Sequence, residues 1–533
     1  MSPTPSGPPS TASPHEERLL IDGKLRSAAG SGTFEVLNPA DGTVLGKVAD
    51  AGREDMLDAI GAARHAFEET DWAVDRQFRK RALTQLLDAL VEEKDELREE
   101  LIAEAGAPRM LTHGAQLEEP LQKFRWHIEH IDRFAWVRRL DDAVNRFTDE
   151  PSERWVVKEP IGVVAAITPW NFPFGLLLVK LAGALATGNT VVAKPAPETP
   201  WNATRIGRLI AERTDIPAGV VNVVPTSSLD TAELLLTDPR VDMVSFTGST
   251  ATGQRILELA APTFKRTMLE LGGKSASIIL DDADLRQAIP QALGALAHSG
   301  QGCALPTRLL VHRKVYDHVV AGLSQAFQQV PWGDPQDQGT LAGPVISARQ
   351  RDRVADYIRI GREEGARLAV GGGVPDRAGF WVEPTLFVDV DNDSTTQRDT
   401  HGPPGRVDAV CRDGRRRDTA ELRTRRAEHR AAEGHRGGEL HGDVLPLPRR
   451  HDRRRRPRRR SGPPGRGRDR ERSRLRRAVR RGPGLAGTAG DHPRRVRGRD
   501  GTRLPAGCRR SPSRRHRRRP PRTGQPAQQP RPA

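Results

Sequence analysis

Cysteine is nearly absent from this chain. Three occur in 533 residues, at Cys303, Cys411 and Cys508, and Cys303 stands alone in the first 410. So few thiols exclude a disulfide framework and point to a reducing, cytoplasmic setting. No apolar run reaches the ~20 residues of a membrane span, and the opening MSPTPSGPPSTASPHEE lacks the apolar core of a secretory signal, so no membrane partner is expected. Residues 404–533 lack seven residue types altogether: Ile, Met, Lys, Asn, Phe, Tyr and Trp. Without them no aliphatic or aromatic core can be built, and a disordered Arg-rich tail is expected there.

The formal net charge of +16 is concentrated in that tail. Residues 404–533 hold 42 Arg against 13 acidic side chains, which leaves the first 403 residues at −13. A chain of 533 residues is long enough for two or three domains, and its first 403 residues read as an acidic globular enzyme. A basic tail would suit nucleic-acid phosphates, but this one has no aromatic platform for base stacking, so nucleic-acid binding is the lesser reading. The missing residue types share AT-rich codons, while Arg, Gly, Pro and Ala are what GC-rich DNA yields out of frame. Read one base later, the codons for Pro404 to Gly414 permit L-V-V-S-T-P-Y-A-E-T-V, an apolar, strand-like run of a kind that the printed GRVDAVCRDG is not. A frameshift near Pro404 is expected on that ground.

What the folded part does contain is ordered by periodicity. Residues 52–69 and 76–105 carry apolar positions at helical spacing with charges between, and a strand-rich hairpin is expected near FTDEPSERWVVKEP. From residue 161 short strand-like and helix-like segments alternate, which predicts a parallel sheet covered by helices on both faces. Such sheets bind ligands at the carboxyl ends of their strands. Three unusual segments fall at those ends: TPWNFPF (168–174), KPAPETP (194–200) and SFTGSTATG (245–253). The last sets Gly248 and Gly253 about Ser249 at a helix start, where backbone amides suit a phosphate. A plain strand-to-helix turn fits that pattern as well, and it is not the GxGxxG fingerprint.

LELGGKSASIIL (269–280) follows, with Glu270 in an otherwise apolar stretch. A lone glutamate is usually a solvated surface residue; buried here, it would serve as a general base. Cys303 sits in the small-residue loop HSGQGC. A buried structural thiol is the commoner fate of a single cysteine, yet a loop of Ser and Gly leaves the sulfur approachable and backbone N–H groups free.

Taken together, PWNFP, KPA..TP, FTGS...G, ELGGK and GQ.C, in this order, resemble the aldehyde dehydrogenase superfamily over about residues 20–403. NPADGTVLG (38–46), GPVISARQRDRV and VEPTLF extend the likeness. The resemblance implies an α/β fold: a Rossmann-like coenzyme domain (19–139 and 160–270) after a disordered N-terminus (1–18), a bridging, oligomerisation hairpin (140–159) and an α/β catalytic domain (271–403). It implies oxidation of a small-molecule aldehyde to the acid with NAD or NADP, without a metal, in a homodimer or homotetramer. It makes Cys303 the nucleophile, Glu270 the base and Asn171 an oxyanion holder. Thr168, Trp170, Lys194, Gly248, Ser249, Gly253, Leu271, Gly272 and Asp399 would surround the coenzyme.

Two positions depart from the family pattern. Pro197 stands three residues after Lys194, where many NAD-preferring members carry Glu, and Glu198 comes one place later, which leaves NAD against NADP open. Asp399 and His401 of DTHGP stand where the family has Glu and Phe. Other readings also follow from the residues: a thiol hydrolase or acyltransferase using Cys303 and Glu270, a degenerate pseudoenzyme lacking its C-terminal part, or a nucleic-acid-binding protein acting through the tail.

Overall fold

A computed structural model describes residues 15–391, 394–395 and 407–413, the last stretch by its backbone alone. Four short strands open the chain: β1 (Leu19–Ile21), β2 (Lys24–Arg26), β3 (Thr33–Leu37) and β4 (Val44–Ala49). Five helices follow: α1 (Arg53–Glu69), α2 (Arg76–Glu92), α3 (Lys94–Ala105), α4 (Arg109–Thr112) and α5 (Glu118–Arg133). Asp75 starts α2 by accepting hydrogen bonds from the amides of Gln77 and Phe78 at 3.0 and 2.9 Å, which satisfies two orphan donors. The helical stretch of 76–105 breaks at Glu93, whose carboxylate is drawn to Arg205 at 2.7 Å and to Arg208. Disorder expected up to residue 18 does not extend over its last four residues. The His15 ring stacks on Trp201 with centroids 3.8 Å apart, and Glu16 is buried, because the Trp201 face offers apolar cover to the incoming chain.

Two small ladders then pair β5 (Val137–Arg139) with β8 (Trp155–Val157) and β6 (Ala143–Val144) with β7 (Pro151–Ser152). The alternation expected from residue 161 is present: β9 (Val163–Ile167), α6 (Pro173–Ala186), β10 (Thr190–Lys194), α7 (Trp201–Arg213), β11 (Val221–Val223), α8 (Leu229–Thr237), β12 (Met243–Gly248), α9 (Thr250–Ala260) and β13 (Arg266–Leu271). These strands form a seven-stranded sheet in the order β13-β12-β9-β10-β11-β1-β2, parallel from β13 to β11 and antiparallel at β1 and β2. The continuous apolar runs VVAA in β9 and TVVA in β10 are buried on both faces, as strands covered by helices on each side must be.

A second sheet takes the rest: β14 (Ala276–Ile279), α10 (Leu285–Ala292), β15 (Arg308–His312), α11 (Tyr316–Gln329), α12 (Ala348–Glu363), β16 (Arg367–Val370), β17 (Thr385–Val388) and β18 (Val407–Asp413). Its order is β14-β15-β18-β17-β16, parallel except for β16. The centre of this sheet corrects the sequence reading. Residues 407–413 were expected to belong to a tail, yet their backbone pairs with β15 on one side and β17 on the other. A parallel ladder asks for main-chain groups first, and the Val407, Val410 and Cys411 of this stretch tolerate extended backbone. Asp399 and His401, with residues 414–533, lie outside the described residues.

Candidate active site

The parallel register brings the three unusual segments together. Ile167 of β9 pairs with Lys194 of β10 and with Phe246 of β12, so Thr168 and Pro195 leave the sheet at one level, close to the end of β12 at Gly248. Beyond these strand ends lies a cavity of about 530 Å³. Thr168 and Trp170 from the loop after β9, Lys194 and Pro197 after β10, and Gly248 and Ser249 at the start of α9 line it. Leu229, Ala232 and Leu236 of α8 with Ile256 of α9 form an apolar wall, while Thr252, Arg255, Arg349 and Arg353 supply polar groups. The arginines escaped the sequence reading, although the i, i+4 spacing of Arg349 and Arg353 sets them on one helix face.

Not every expected coenzyme residue reaches this cavity. Gly253 is buried inside α9, where an added Cβ would meet Leu271 Cδ2 at 2.8 Å, so its task is to let α9 approach β13 closely. Leu271 and Gly272 sit behind the lining, and the Gly272 amide donates to the Gly248 carbonyl at 3.2 Å. Ser249 caps α9, accepting from the Thr252 amide at 3.1 Å. Burial holds the Lys194 ammonium below the ordinary lysine range, against the opposing charges of Glu198 and Asp50, and its Nζ donates to the Pro195 carbonyl at 3.1 Å.

Cys303 is half-buried in the loop that follows the turn Leu293–Gly300. That turn is strained. His298, Ser299 and Gly300 take φ of +50, +59 and +73°, two of them non-glycine residues in the left-handed region. Gln301, fully buried, holds the segment in place: its side chain donates to the carbonyls of His298 at 3.1 Å and Pro344 at 3.3 Å and accepts from the Ile346 amide at 3.0 Å. Ser299 Oγ donates to the Gly343 carbonyl. Neither Gln301 nor Ser299 was singled out from sequence, since their work is to anchor backbone across long sequence separations.

Asn171 is tied to the same loop. Its Nδ2 donates to the Gln301 carbonyl at 2.6 Å, and its own carbonyl accepts from Gln116 Nε2 at 2.9 Å. An amide has two N–H donors, so one remains beside the thiol loop. The Cys303 N–H has no hydrogen-bond partner among the described residues. His298 is fully buried against Phe172, with ring centroids 5.7 Å apart, and burial pushes its imidazole down to about 4. Neither ring nitrogen has a hydrogen-bond partner among the described residues, although the nearby Asn171 carbonyl favours the charged form slightly.

Glu270 corrects the expectation of a buried base. It lies on β13, the outermost strand of its sheet, where Arg266, Met268 and Glu270 alternate outward and are exposed. A period of two on an edge strand sends every second side chain to solvent. Its charge is nonetheless felt inside: Lys180 of α6, bonded to Ser245 Oγ at 3.1 Å, is pushed down to about 8 by burial, and the Glu270 carboxylate opposes that shift. Among the described residues no group of His, Cys, Asp or Glu is gathered to hold a metal, and no helix is long and apolar enough to cross a membrane.

Comparison with known proteins agrees with this layout. Residues 26–407 match the model of the aldehyde dehydrogenase family. DhaS of Bacillus subtilis, named as an aldehyde dehydrogenase, is 36% identical over 386 residues, covering 72% of this chain and 76% of that protein. A Mycobacterium tuberculosis aldehyde dehydrogenase solved with NAD+ aligns with a TM-score of 0.71 at 36% identity, covering 76% of this chain and 83% of that one. A variant of aldehyde dehydrogenase C from Pseudomonas syringae, solved with NAD+ and octanal, aligns at 0.70 and 31% identity over 75% of this chain and 80% of its own. With the motifs in order on one α/β scaffold, and the match running through both sheets, this chain belongs to the aldehyde dehydrogenase family.

Proposed function

We propose that the chain is an NAD(P)-dependent dehydrogenase that oxidises an aldehyde to its carboxylic acid through a covalent adduct on Cys303. The observation that carries this reading is the 2.6 Å bond from Asn171 to the Gln301 carbonyl, which ties an amide donor to the loop of the approachable thiol. The cavity fits a dinucleotide: an apolar wall on α8 and α9 suits a base, and the cations with the α9 N-terminus suit phosphates. Thr168, Trp170, Lys194, Gly248 and Ser249 would hold it. When bound, the nicotinamide coenzyme supplies the acceptor for the hydride leaving the aldehyde carbon.

The chain's own residues do the remainder. The Cys303 thiolate attacks the carbonyl carbon, forming a C–S bond and sending the π pair to oxygen. The second Asn171 N–H and the Cys303 N–H stabilise that oxyanion. Loss of hydride leaves a thioester on Sγ. Glu270, solvent-facing on β13, takes a proton from the water that attacks it, and collapse of the adduct breaks the C–S bond, releasing the acid and the thiolate. Exposed Val137, Val144, Trp155 and Val157 on the ladders of β5 to β8, with Phe147 in the turn between β6 and β7, support a homodimeric or homotetrameric assembly through that element.

Cys303→Ala tests the proposal. Aldehyde oxidation is expected to vanish while coenzyme binding, followed by titration of protein fluorescence, persists. Continued turnover in that variant removes Cys303 from the mechanism.

A further inference from the structure

Asn171 takes part of its orientation from outside its own loop. Residues 115–120 press on the first turn of α6, where a Cβ added at Gly175 would meet Pro120 Cγ at 3.0 Å and the Ala115 carbonyl oxygen at 3.4 Å. Gln116 belongs to this segment and to none of the motifs at the strand ends. It is fully buried, its main-chain amide donates to the Leu111 carbonyl at 3.1 Å, and its Nε2 donates to the Asn171 carbonyl at 2.9 Å. Gln116 Oε1 has no hydrogen-bond partner among the described residues. Burying an amide with its carbonyl unmet costs stability, and an apolar side chain of similar volume would fill the space without that cost. Packing alone therefore does not account for a glutamine here.

The bond to Asn171 has a mechanical consequence. A peptide unit is planar, so its carbonyl and its N–H turn together. Gln116 holds the carbonyl of the unit that joins Asn171 to Phe172, and the N–H of that same unit donates to Asn171 Oδ1 at 3.1 Å. Asn171 Nδ2 donates in turn to the Gln301 carbonyl at 2.6 Å. The side-chain amide of Asn171 is thus fixed from both sides, and the direction of its second N–H is fixed with it.

We infer that Gln116 is a positioning residue of the reaction: by fixing the plane of the peptide between Asn171 and Phe172, it aims the second Asn171 N–H at the oxyanion formed on the substrate. Gln116 acts through Asn171. The inference rests on the reading of Asn171 as an oxyanion donor and goes beyond it by naming what sets that donor's direction. Loss of a whole oxyanion donor costs about 10² to 10³ in rate, and a misplacement of about 1 Å costs up to about 10².

The test uses the full chain without coenzyme, and two reagents. With p-nitrophenyl acetate the Cys303 sulfur forms a C–S bond to the carbonyl carbon, negative charge develops on the carbonyl oxygen, and the C–O bond breaks to release p-nitrophenolate as a coloured burst. The burst counted is the part that Cys303→Ala lacks. Iodoacetamide alkylates the same sulfur by displacing iodide from a saturated carbon, where no oxyanion develops, and is followed by mass spectrometry of the Cys303 peptide. Gln116→Met keeps the volume and removes the donor. We expect its burst rate to fall by about ten- to a hundredfold while alkylation stays within about threefold of the parent. In an Asn171→Ala background the same substitution is expected to add less than about threefold, because the donor it aims is gone. Gln116→Asn, whose amide stops one methylene short, is expected to show the same pattern and takes over the test if Gln116→Met does not fold. Three outcomes overturn the inference while a slow Asn171→Ala leaves the Asn171 reading standing: acylation at the parent rate in a folded Gln116 variant, an equal fall in acylation and alkylation, or effects that multiply in the double variant. Parent-rate acylation in Asn171→Ala overturns the Asn171 reading and the inference together. Absence of a burst from the folded parent chain overturns the reading of Cys303 with them.

Discussion

Cys303 and Glu270 occupy different kinds of surface. The thiol is half-buried on a loop held by buried side chains, whereas the carboxylate stands on an edge strand in water. That contrast suits their proposed roles, since a nucleophile must be positioned against one carbon while a base must meet incoming water. Glu270→Gln removes the proton acceptor without changing size, so the first half of the reaction survives and the second slows. We expect turnover to fall by about 10² to 10⁴, the range for lost acid–base help, and acyl groups to accumulate on Cys303, read by mass spectrometry of its peptide. A Gln variant that turns over at the parent rate with no acyl-enzyme would show that another group activates the water.

The segment from His298 to Cys303 is the element on which the site depends. Its two non-glycine left-handed residues, His298 and Ser299, cost energy that Gln301, Ser299 and Asn171 offset through hydrogen bonds to residues 116 and 343–346. His298 makes that element sensitive to acid. Its native pKa of about 4 lies below the ordinary 6.5, so the unfolded chain binds a proton over this interval and the native one does not. Stability from this group is therefore fully present above about pH 6.5 and is lost as pH falls toward 4. The whole effect amounts to roughly 3 kcal/mol. Comparing urea denaturation at pH 7 and 4.5 should show a smaller loss for His298→Gln than for the parent chain. An identical loss in both would remove His298 from the acid response.

For the whole molecule the decisive position is the middle of the second sheet. Family resemblance was read to Pro403 and the family match runs to residue 407, the first residue of β18. A frame shifted by one base would place an apolar run in that slot. We therefore propose that the gene carries a gained or lost base near the codons for Pro403 and Pro404. Resequencing that region is expected to reveal it, and an intact frame would overturn the proposal. The restored protein should assemble as a dimer or tetramer by light scattering, through the apolar ladders β5–β8. A monomer at micromolar concentration would dismiss that interface.

Much of this molecule is written locally. Alternating strand and helix segments, a parallel sheet covered by helices on both faces, and the ordered motifs at strand ends were all legible, because backbone periodicity and turn chemistry are properties of neighbouring residues. Thr168, Trp170, Lys194, Gly248 and Ser249 line one cavity for the same reason: parallel strands in register deliver their ends to one level. The exposure of Glu270 was not legible, since an apolar-looking stretch does not say whether its strand lies at the centre or the edge of a sheet. Nor was the cationic face of α12, 155 residues beyond Lys194 at Arg349, nor the support that Gln301 draws from residues 344–346. These depend on which distant segments are brought into contact, and that is decided by the packing of the whole chain, where burial and long-range hydrogen bonds outweigh local preference.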